Sequence, residues 1–287
     1  MAQLGHLTHA DVDQAAALSR SVGWNQTPDD WQRLLTLAPD GVFGAFEAGR
    51  LVATSSVVAY GGALAWIGMM IVDAAYRGRG LGKRLLDAAL ASPTLPPGAT
   101  IGLAATDMGA PLYRGRGFVD VDPIDRWGGV LRAPPARGGS AAAGTAARAV
   151  EPAEVASLAA WDAVRTRTDR TALVAHLLRN PAARAHVVTR AGGVVGYAVV
   201  RPGRTHDHLG PVVADDDAAF DVLLAAVAEQ LAGAAVFADV VRGDFTDAAF
   251  ARAGLRVERR LVRMTRVPAR RVLSGAPIWA TAGLEWG

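Results

Sequence analysis

The stretch from Gly68 to Leu86, Gly-Met-Met-Ile-Val-Asp-Ala-Ala-Tyr-Arg-Gly-Arg-Gly-Leu-Gly-Lys-Arg-Leu-Leu, constrains this chain more than any other. Met69 to Val72 is a short apolar run, the pattern of a buried strand. A glycine-rich loop from Arg77 to Gly82 follows. Leu81, Leu85, Leu86, Ala89 and Leu90 then recur at the spacing of one helical face. Strand, glycine loop and helix together form a device for holding an anion. The glycines let the backbone approach it, and the N–H groups of the first helical turn point at it with the positive end of the helix dipole.

Spacing restricts which phosphate ligand such a loop can hold. A Walker loop needs four residues between its glycine and Gly-Lys, then Ser or Thr. Here three residues separate Gly78 from Gly82-Lys83, and Arg84 follows. A dinucleotide fingerprint needs Gly-x-Gly-x-x-Gly, and Gly78-x-Gly80-x-Gly82 is one residue short. A glycine-rich turn that merely starts an ordinary helix is the plain alternative.

At 287 residues the chain is long enough for two domains. It has no cysteine, which excludes disulfides, cysteine nucleophiles and thiolate metal sites. Apolar runs are short and broken by glycine or charge, so no membrane span is expected, and no signal-peptide pattern opens the chain. A cytoplasmic protein is the simplest expectation. Lys83 is the only lysine, and the net charge is +3. Arginines are interspersed with acids and aromatics are few, which argues against nucleic acid as a partner. Monomer and homodimer both stay open.

Taken in order, Thr8 caps a helix from about Asp11 to Val22. Thr27-Pro28-Asp29-Asp30 starts a second, which runs to about Leu37. Trp24, between them, either wedges the helices together or walls a substrate pocket. Residues 41–47 and 51–60 read as strands before the Met69–Val72 strand. Residues 100–105 form the next strand, Ala110-Pro111 opens a short helix with Leu112 and Tyr113, and 118–121 is a strand. Residues 134–148 are a linker by composition. After it the same element order returns: helices at 152–163 and 171–178, strands at 185–189, 193–201 and 209–213, a helix at 215–231, a strand at 235–241, a short helix at 246–253 and a strand at 256–265. The chain therefore reads as an internal repeat of elements, with units at 1–133 and 149–287. The tail from Ile278 to Gly287 alternates weakly and suggests an extra strand.

Arg77-x-x-Gly80-x-Gly82 resembles the acyl-coenzyme A loop of the GNAT superfamily of N-acetyltransferases. Leu112-Tyr113-x-x-x-Gly117-Phe118, one strand later, resembles the motif that follows the coenzyme A helix there. Trp24-Asn-Gln-Thr-Pro-Asp-Asp-Trp31 is similar to the opening of a bacterial tandem group of that superfamily. Trp161-Asp162, Thr168-Asp169-Arg170, Gly196-Tyr197, Arg201-Pro202-Gly203, residues 209–214 and Arg263-Met264 are similar to its second domain. One departure is Thr106-Asp107-Met108-Gly109, where many members carry Asn. In the second half, Val213-Ala214-Asp215-Asp216-Asp217 replaces the glycine loop. Three acids at a helix start repel a pyrophosphate, so only the first half is expected to bind coenzyme A in this way.

The resemblance implies an α/β fold of two tandem domains, each a mostly antiparallel sheet flanked by helices. It implies acyl transfer, with acetyl-coenzyme A as co-substrate and no metal, to the amine of a small molecule without a covalent enzyme intermediate. Protein or peptide N-acetylation and a non-catalytic acyl-coenzyme A sensor are the alternatives. The coenzyme would contact Met70, Ile71, Val72, Arg77, Gly78, Arg79, Gly80, Leu81, Gly82 and Lys83. Tyr113 would protonate the leaving thiolate, or only pack under the coenzyme. Trp24, Tyr60, Asp169 and Arg170 are candidates to line the acceptor pocket, with Asp169-Arg170 alternatively a structural ion pair. No base is identifiable: Glu47, Asp73 and Asp107 sit at strand ends, where acids are commonly turn or surface residues. His206 and His208 are two apart without an evident third metal ligand.

Overall fold

A computed structural model describes residues 2–133, 145–231, 233–266 and 278–287. The first half runs β1 (Gln3–His6), α1 (Val12–Ser21), α2 (Pro28–Leu37), β2 (Val42–Glu47), β3 (Arg50–Tyr60), β4 (Leu64–Val72), α3 (Leu81–Leu90), β5 (Thr100–Ala105), α4 (Ala110–Arg114) and β6 (Val119–Val130). The second repeats it as β7 (Ala146–Ala149), α5 (Val155–Thr166), α6 (Thr171–Arg179), β8 (Arg184–Arg190), β9 (Gly193–Arg201), β10 (Asp207–Ala214), α7 (Asp217–Leu231), β11 (Ala235–Val241), α8 (Asp244–Arg252) and β12 (Arg256–Arg266). A last strand, β13 (Ile278–Ala280), lies in the C-terminal tail. Of the expected linker, residues 134–144 lie outside the described residues, and Ala146–Ala149 is a strand paired with β8.

The local signals behave as the residues dictate. At α2, Pro28 holds the first turn, the Thr27 side chain accepts from the Asp30 N–H, and Asp30 accepts from the Thr27 N–H at 2.8 Å. The Trp31 indole donates to Ser19 at 3.1 Å, tying α2 to α1. In the second half, Arg170 makes a bidentate pair with Asp162 at 2.8 and 2.9 Å, and the Tyr197 hydroxyl donates to the same carboxylate at 2.7 Å.

The two halves are not two separate sheets. All thirteen strands join one mostly antiparallel sheet, in the order β1-β2-β3-β4-β5-β12-β6-β11-β10-β9-β8-β7, with β13 on β10. The last strand of each half has crossed into the other: β12 pairs with β5 of the first half, and β6 pairs with β11 of the second. β6 and β12 lie side by side at the centre. Sequence patterning finds only the start of β6, because its interior carries Asp122, Pro123, Asp125 and Arg126 where alternation predicts apolar residues. The charges are paired across the exchange. Asp125 takes Arg242 at 2.7 and 2.8 Å, and Arg126 meets Asp239 with two bonds of 2.8 Å.

Helices cover both faces. One core is shared by the halves, with Trp31 and Leu34 of α2 in the same cluster as Leu158, Leu173 and Leu177 of α5 and α6. On the other face, α3 and α4 cover the first half and α7 and α8 the second. Parallel pairing occurs at two places, β4 with β5 and β10 with β11, and each pair separates after a few residues.

The tail fills the second of these separations and then reaches the first. β13 pairs with β10 at Val212 and Val213, while the Thr281 N–H donates to Asp239 O of β11 at 2.8 Å. The Trp279 ring stacks on Phe220 of α7 at 3.9 Å. The chain then passes to β4. The Trp66 indole donates to Leu284 O at 2.8 Å and the Tyr60 hydroxyl to Trp286 O at 2.7 Å. Trp286 is fully buried in the shared core.

His208, buried beside Arg201, Arg126, Asp239 and Asp30, is held neutral. Burial first, then the neighbouring guanidinium groups, push its imidazole down to about 3, against a partial opposing pull from the two carboxylates. Below the ordinary value of 6.5 the unfolded chain binds a proton there that the folded chain refuses. Its contribution to stability is present above pH 6.5 and is lost as pH falls toward about 3. The urea midpoint of the wild type is expected to fall between pH 7 and pH 5, and His208→Leu to show a smaller fall. Parallel pH profiles would contradict this role.

Candidate functional site

β4 and β5 pair only from Leu64–Ile67 to Thr100–Leu103 and then diverge. At that point β4 carries a bulge. Thr54 faces Ile71 and Ser56 faces Gly68, so Met69 and Met70 together oppose Ser55. Met69 takes a φ of 49°, a left-handed conformation that costs a bulky residue ~1–3 kcal/mol. The Thr54 hydroxyl donates to Met69 O at 2.8 Å and holds the kink. Next to it, the Glu285 backbone passes against Gly68, where a Cβ would lie 2.8 Å from Glu285 O.

A cleft of about 490 Å³ opens from this divergence. One end is the glycine loop. Gly78 and Gly80 both have φ of 75°, and nothing lies within 4 Å of where their side chains would be. Gly80 is the N-cap of α3 and no side chain caps the helix. Its first N–H groups are thus left for a ligand, as an anion requires. Met70, Ile71, Val72, Arg77, Gly78, Gly80, Leu81, Gly82 and Lys83 all line the cleft. Arg79 does not. Its guanidinium turns back over the Tyr76 ring at 4.7 Å and donates to Ala75 O at 3.0 Å.

Tyr113 stands on the wall formed by Thr106, Met108, Gly109 and Leu112. It is 7% exposed, its ring edge-on to Phe118 at 6.1 Å, and burial pushes its phenol well above the ordinary range. Among the described residues no hydrogen bond occupies its hydroxyl.

The other end is built by both halves. Trp24 and Gln26 of the loop before α2 face Leu284 and Glu285 of the tail and Arg126, Arg259 and Leu261 of the exchanged strands. Trp24 lines the cleft and also packs on the shared core. Its loop is pinned by the second half: Asn25 Oδ1 accepts from the N–H and the hydroxyl of Thr205, each at 2.9 Å, and Asn25 Nδ2 donates to His206 O at 2.8 Å.

Beneath this end lies a buried charge network. Asp30 binds Arg33 at 2.6 Å and Arg201 at 3.4 Å, and Arg201 Nη2 donates to Glu285 Oε1 at 3.0 Å. Gln26 Nε2 donates to Glu285 Oε2 at 3.1 Å. Burial raises the Glu285 carboxyl above the ordinary carboxylate range, with Arg201 opposing. Burial acts upward on Asp30 too, but Arg201 and Arg33 outweigh it and hold its carboxyl low.

Three residues expected at the acceptor pocket lie elsewhere. Tyr60 is buried beneath the tail, its hydroxyl spent on Trp286 O. Arg170 is sealed in its pair with Asp162, and Asp169 is exposed and accepts from the Thr171 hydroxyl at 2.8 Å. The structural ion pair is therefore Asp162–Arg170, not Asp169–Arg170. Glu47, Asp73 and Asp107 do not line the cleft, and Asp73 is engaged by Arg50 at 2.6 Å. His206 stacks on Phe237 at 4.0 Å, and the described residues hold no cluster of three metal-ligating side chains. No described helix is long and apolar enough to cross a membrane. The residues that sequence reasoning missed are Gln26, Arg126, Arg259 and Glu285. One signal was available: Glu285 is the only charged residue in the tail from 278 to 287.

In the second half the described residues fill the equivalent places. Where α3 starts on open glycines, α7 starts on Asp216, whose carboxylate accepts from the Ala219 N–H at 2.9 Å and pairs with Arg190 at 2.6 Å. The Arg190 bond holds the Asp216 carboxyl down to about 2. The divergence of β10 and β11 is occupied by the tail, and a Cβ at Gly210 would collide with Thr281 O.

Residues 38–120 match a family model described as an acetyltransferase (GNAT) domain, and residues 159–272 match a second model with the same description. No curated protein matches the chain. A crystal structure of a Pyrococcus horikoshii protein is similar over 100% of this chain and 96% of its own, at 20% identity and a TM-score of 0.78. A GCN5-related N-acetyltransferase from Sphaerobacter thermophilus is similar over 96% and 98%, at 16% identity and a TM-score of 0.67. A tandem GNAT protein from the clavulanic acid biosynthesis pathway is similar over 94% and 100%, at 18% identity and a TM-score of 0.67. At these identities the likeness is one of fold.

The close approach at Gly68 carries a consequence. Gly68→Ala should push the tail off β4 and lower stability by ~1–3 kcal/mol, the usual cost of overpacking. Thermal unfolding would read this as a lower midpoint, and an unchanged midpoint would contradict the tight contact between β4 and Glu285.

Proposed function

The chain belongs to the GNAT acetyltransferase superfamily, with two such domains in tandem, and is an acetyl-coenzyme A-dependent N-acetyltransferase; from that premise we propose that it acetylates the amine of a small molecule by direct attack, at a single site in its first half. The observation that carries this reading is the joining, in one cleft, of an open glycine cradle at an uncapped helix, an unbonded Tyr113 hydroxyl, and a polar end closed by the tail. An acceptor end walled by Trp24, Gln26, Leu284 and Glu285 suits a small molecule better than the surface of a folded protein. We keep residues 1–133 and 149–287 as the two repeats, and assign the second a structural role without its own coenzyme.

Bound acetyl-coenzyme A supplies an acyl group already activated as a thioester. The N–H groups of residues 80–83, with Arg77 and Lys83 beside them, hold the pyrophosphate. The bulged backbone at Met70–Val72 orients the acyl group and offers N–H groups to its oxygen, where negative charge develops. Tyr113 gives its proton to the sulfur as the amine nitrogen bonds the acyl carbon and the carbon–sulfur bond breaks. The proton lost by the amine passes to solvent, and a proton from solvent then restores the Tyr113 phenol. Burial raises the proton affinity of the phenol and keeps it protonated until the sulfur takes its proton.

Tyr113→Phe is expected to lower kcat about a hundredfold or more, within the usual range for general acid catalysis, with little change in the Kd for acetyl-coenzyme A. Steady-state thiol release and calorimetry would measure the two. An unchanged kcat would remove Tyr113 from the chemistry.

A further inference from the structure

The acceptor end of the cleft has an ordered charge pattern that the acyl-transfer reading does not use. Arg259 of β12, Arg126 of β6 and Asp239 of β11 form one row across three adjacent strands. Residues directly opposite in an antiparallel ladder share a face, where like charges repel. Asp239 neutralises Arg126 through two bonds of 2.8 Å. Arg259, half-buried, has no ion-pair or hydrogen-bond partner among the described residues, although Arg126 faces it. A half-buried guanidinium set beside a second one is costly unless an anion joins it. Both arginines line the cleft.

The same cleft is lined by Glu285 and by Gln26, which donates to it. Gln26 is 8% exposed and donates its amide N–H to Glu285, and its Oε1 has no hydrogen-bond partner among the described residues. An unmatched buried acceptor next to a carboxylate is suited to a ligand that brings several N–H donors. An ammonium group is such a ligand. The cleft is thus lined by acceptors at Glu285 and Gln26, by Arg126 paired with Asp239, and by Arg259, which Asp239 influences without a direct ion pair among the described residues.

Resting on the acyl-transfer reading, we propose that the acceptor is a small amine that also carries an oxyanion: Glu285 and Gln26 hold its amino group, and Arg259 holds its carboxylate or phosphate. Arg201 already balances the Glu285 charge, so the preference comes from the Arg259 guanidinium, and an amine of the same length without the anion is a poor substrate. Guanidinium and oxyanion match each other in charge and donor geometry.

The test uses the full chain, acetyl-coenzyme A, and a panel: the amino acids from glycine through γ-aminobutyrate, phosphoethanolamine, and simple alkylamines of matched length. Thiol release gives kcat/KM for each. The wild type should prefer at least one oxyanion-bearing amine over its matched alkylamine by about tenfold or more, as a charge-assisted bond allows. A best substrate among the amino acids points to a carboxylate, and phosphoethanolamine to a phosphate. Arg259→Gln should collapse that ratio, and Arg259→Lys should restore part of it. Equal rates with and without the anion would overturn the assignment. So would a ratio untouched by Arg259→Gln, or no turnover of any panel member while acetyl-coenzyme A still binds. If Arg259→Gln instead weakens acetyl-coenzyme A binding and leaves the ratio alone, Arg259 serves the coenzyme and the assignment fails. Failure of the wild type to bind acetyl-coenzyme A would sink the acyl-transfer reading itself, a separate outcome.

Discussion

The reciprocal exchange of β6 and β12 is the constraint on which the rest of the structure depends. Each half ends in a strand that completes the other half's sheet, and the two strands pair with each other at the centre. Asp125–Arg242 and Arg126–Asp239 fasten β6 to β11. Removing one partner of a largely buried pair would strand the other charge, at a typical cost of ~3–5 kcal/mol. A wrong register would leave Asp239 buried without its arginine. The halves also share one hydrophobic core. The exchange brings Arg126 and Arg259 to the cleft of the first half, and the shared sheet lets the tail pass from β10 to β4.

Two similar divergences in one sheet meet different fates. In the first half the gap between β4 and β5 opens onto glycines and an uncapped helix, and the tail lines it without entering it as a strand. In the second half the tail enters the gap as β13, and Asp216 takes the helix N–H that an anion would need. The sequence difference is small: glycines at 78, 80 and 82 against aspartates from 215 to 217. The physical difference is large, because an open cradle has been replaced by a carboxylate and a strand. The same tail that closes one site supplies a wall of the other, through Leu284 and Glu285.

Most elements were legible from periodicity and caps. The Thr27-Pro28 start of α2, the glycine loop before α3 and the element order of the second half all follow from local residues. What stayed hidden depends on distant partners. β6 reads as a strand only when Arg242 and Asp239 are present to pair with its charges, so alternation stops near Val121 while the strand continues to Val130. β1 and β7 are four-residue strands at the two edges of the sheet, too short for a pattern. The glycine-loop part of the cleft was readable because one contiguous stretch builds it. The part lined by Gln26, Arg126, Arg259 and Glu285 was not, since these come from four separate places in the chain. Tyr60 and Arg170 were drawn to the pocket by their chemistry, yet the core claims both.

One cradle is open and the other is closed. Isothermal titration of the full chain with acetyl-coenzyme A tests this most directly, through its stoichiometry. One equivalent bound per chain, abolished by replacing the glycines at 78 and 80 with aspartate, is the predicted result. Two equivalents would contradict the closure of the second half by its tail, and binding that survives those substitutions would contradict the placement of the site at the Arg77–Lys83 loop.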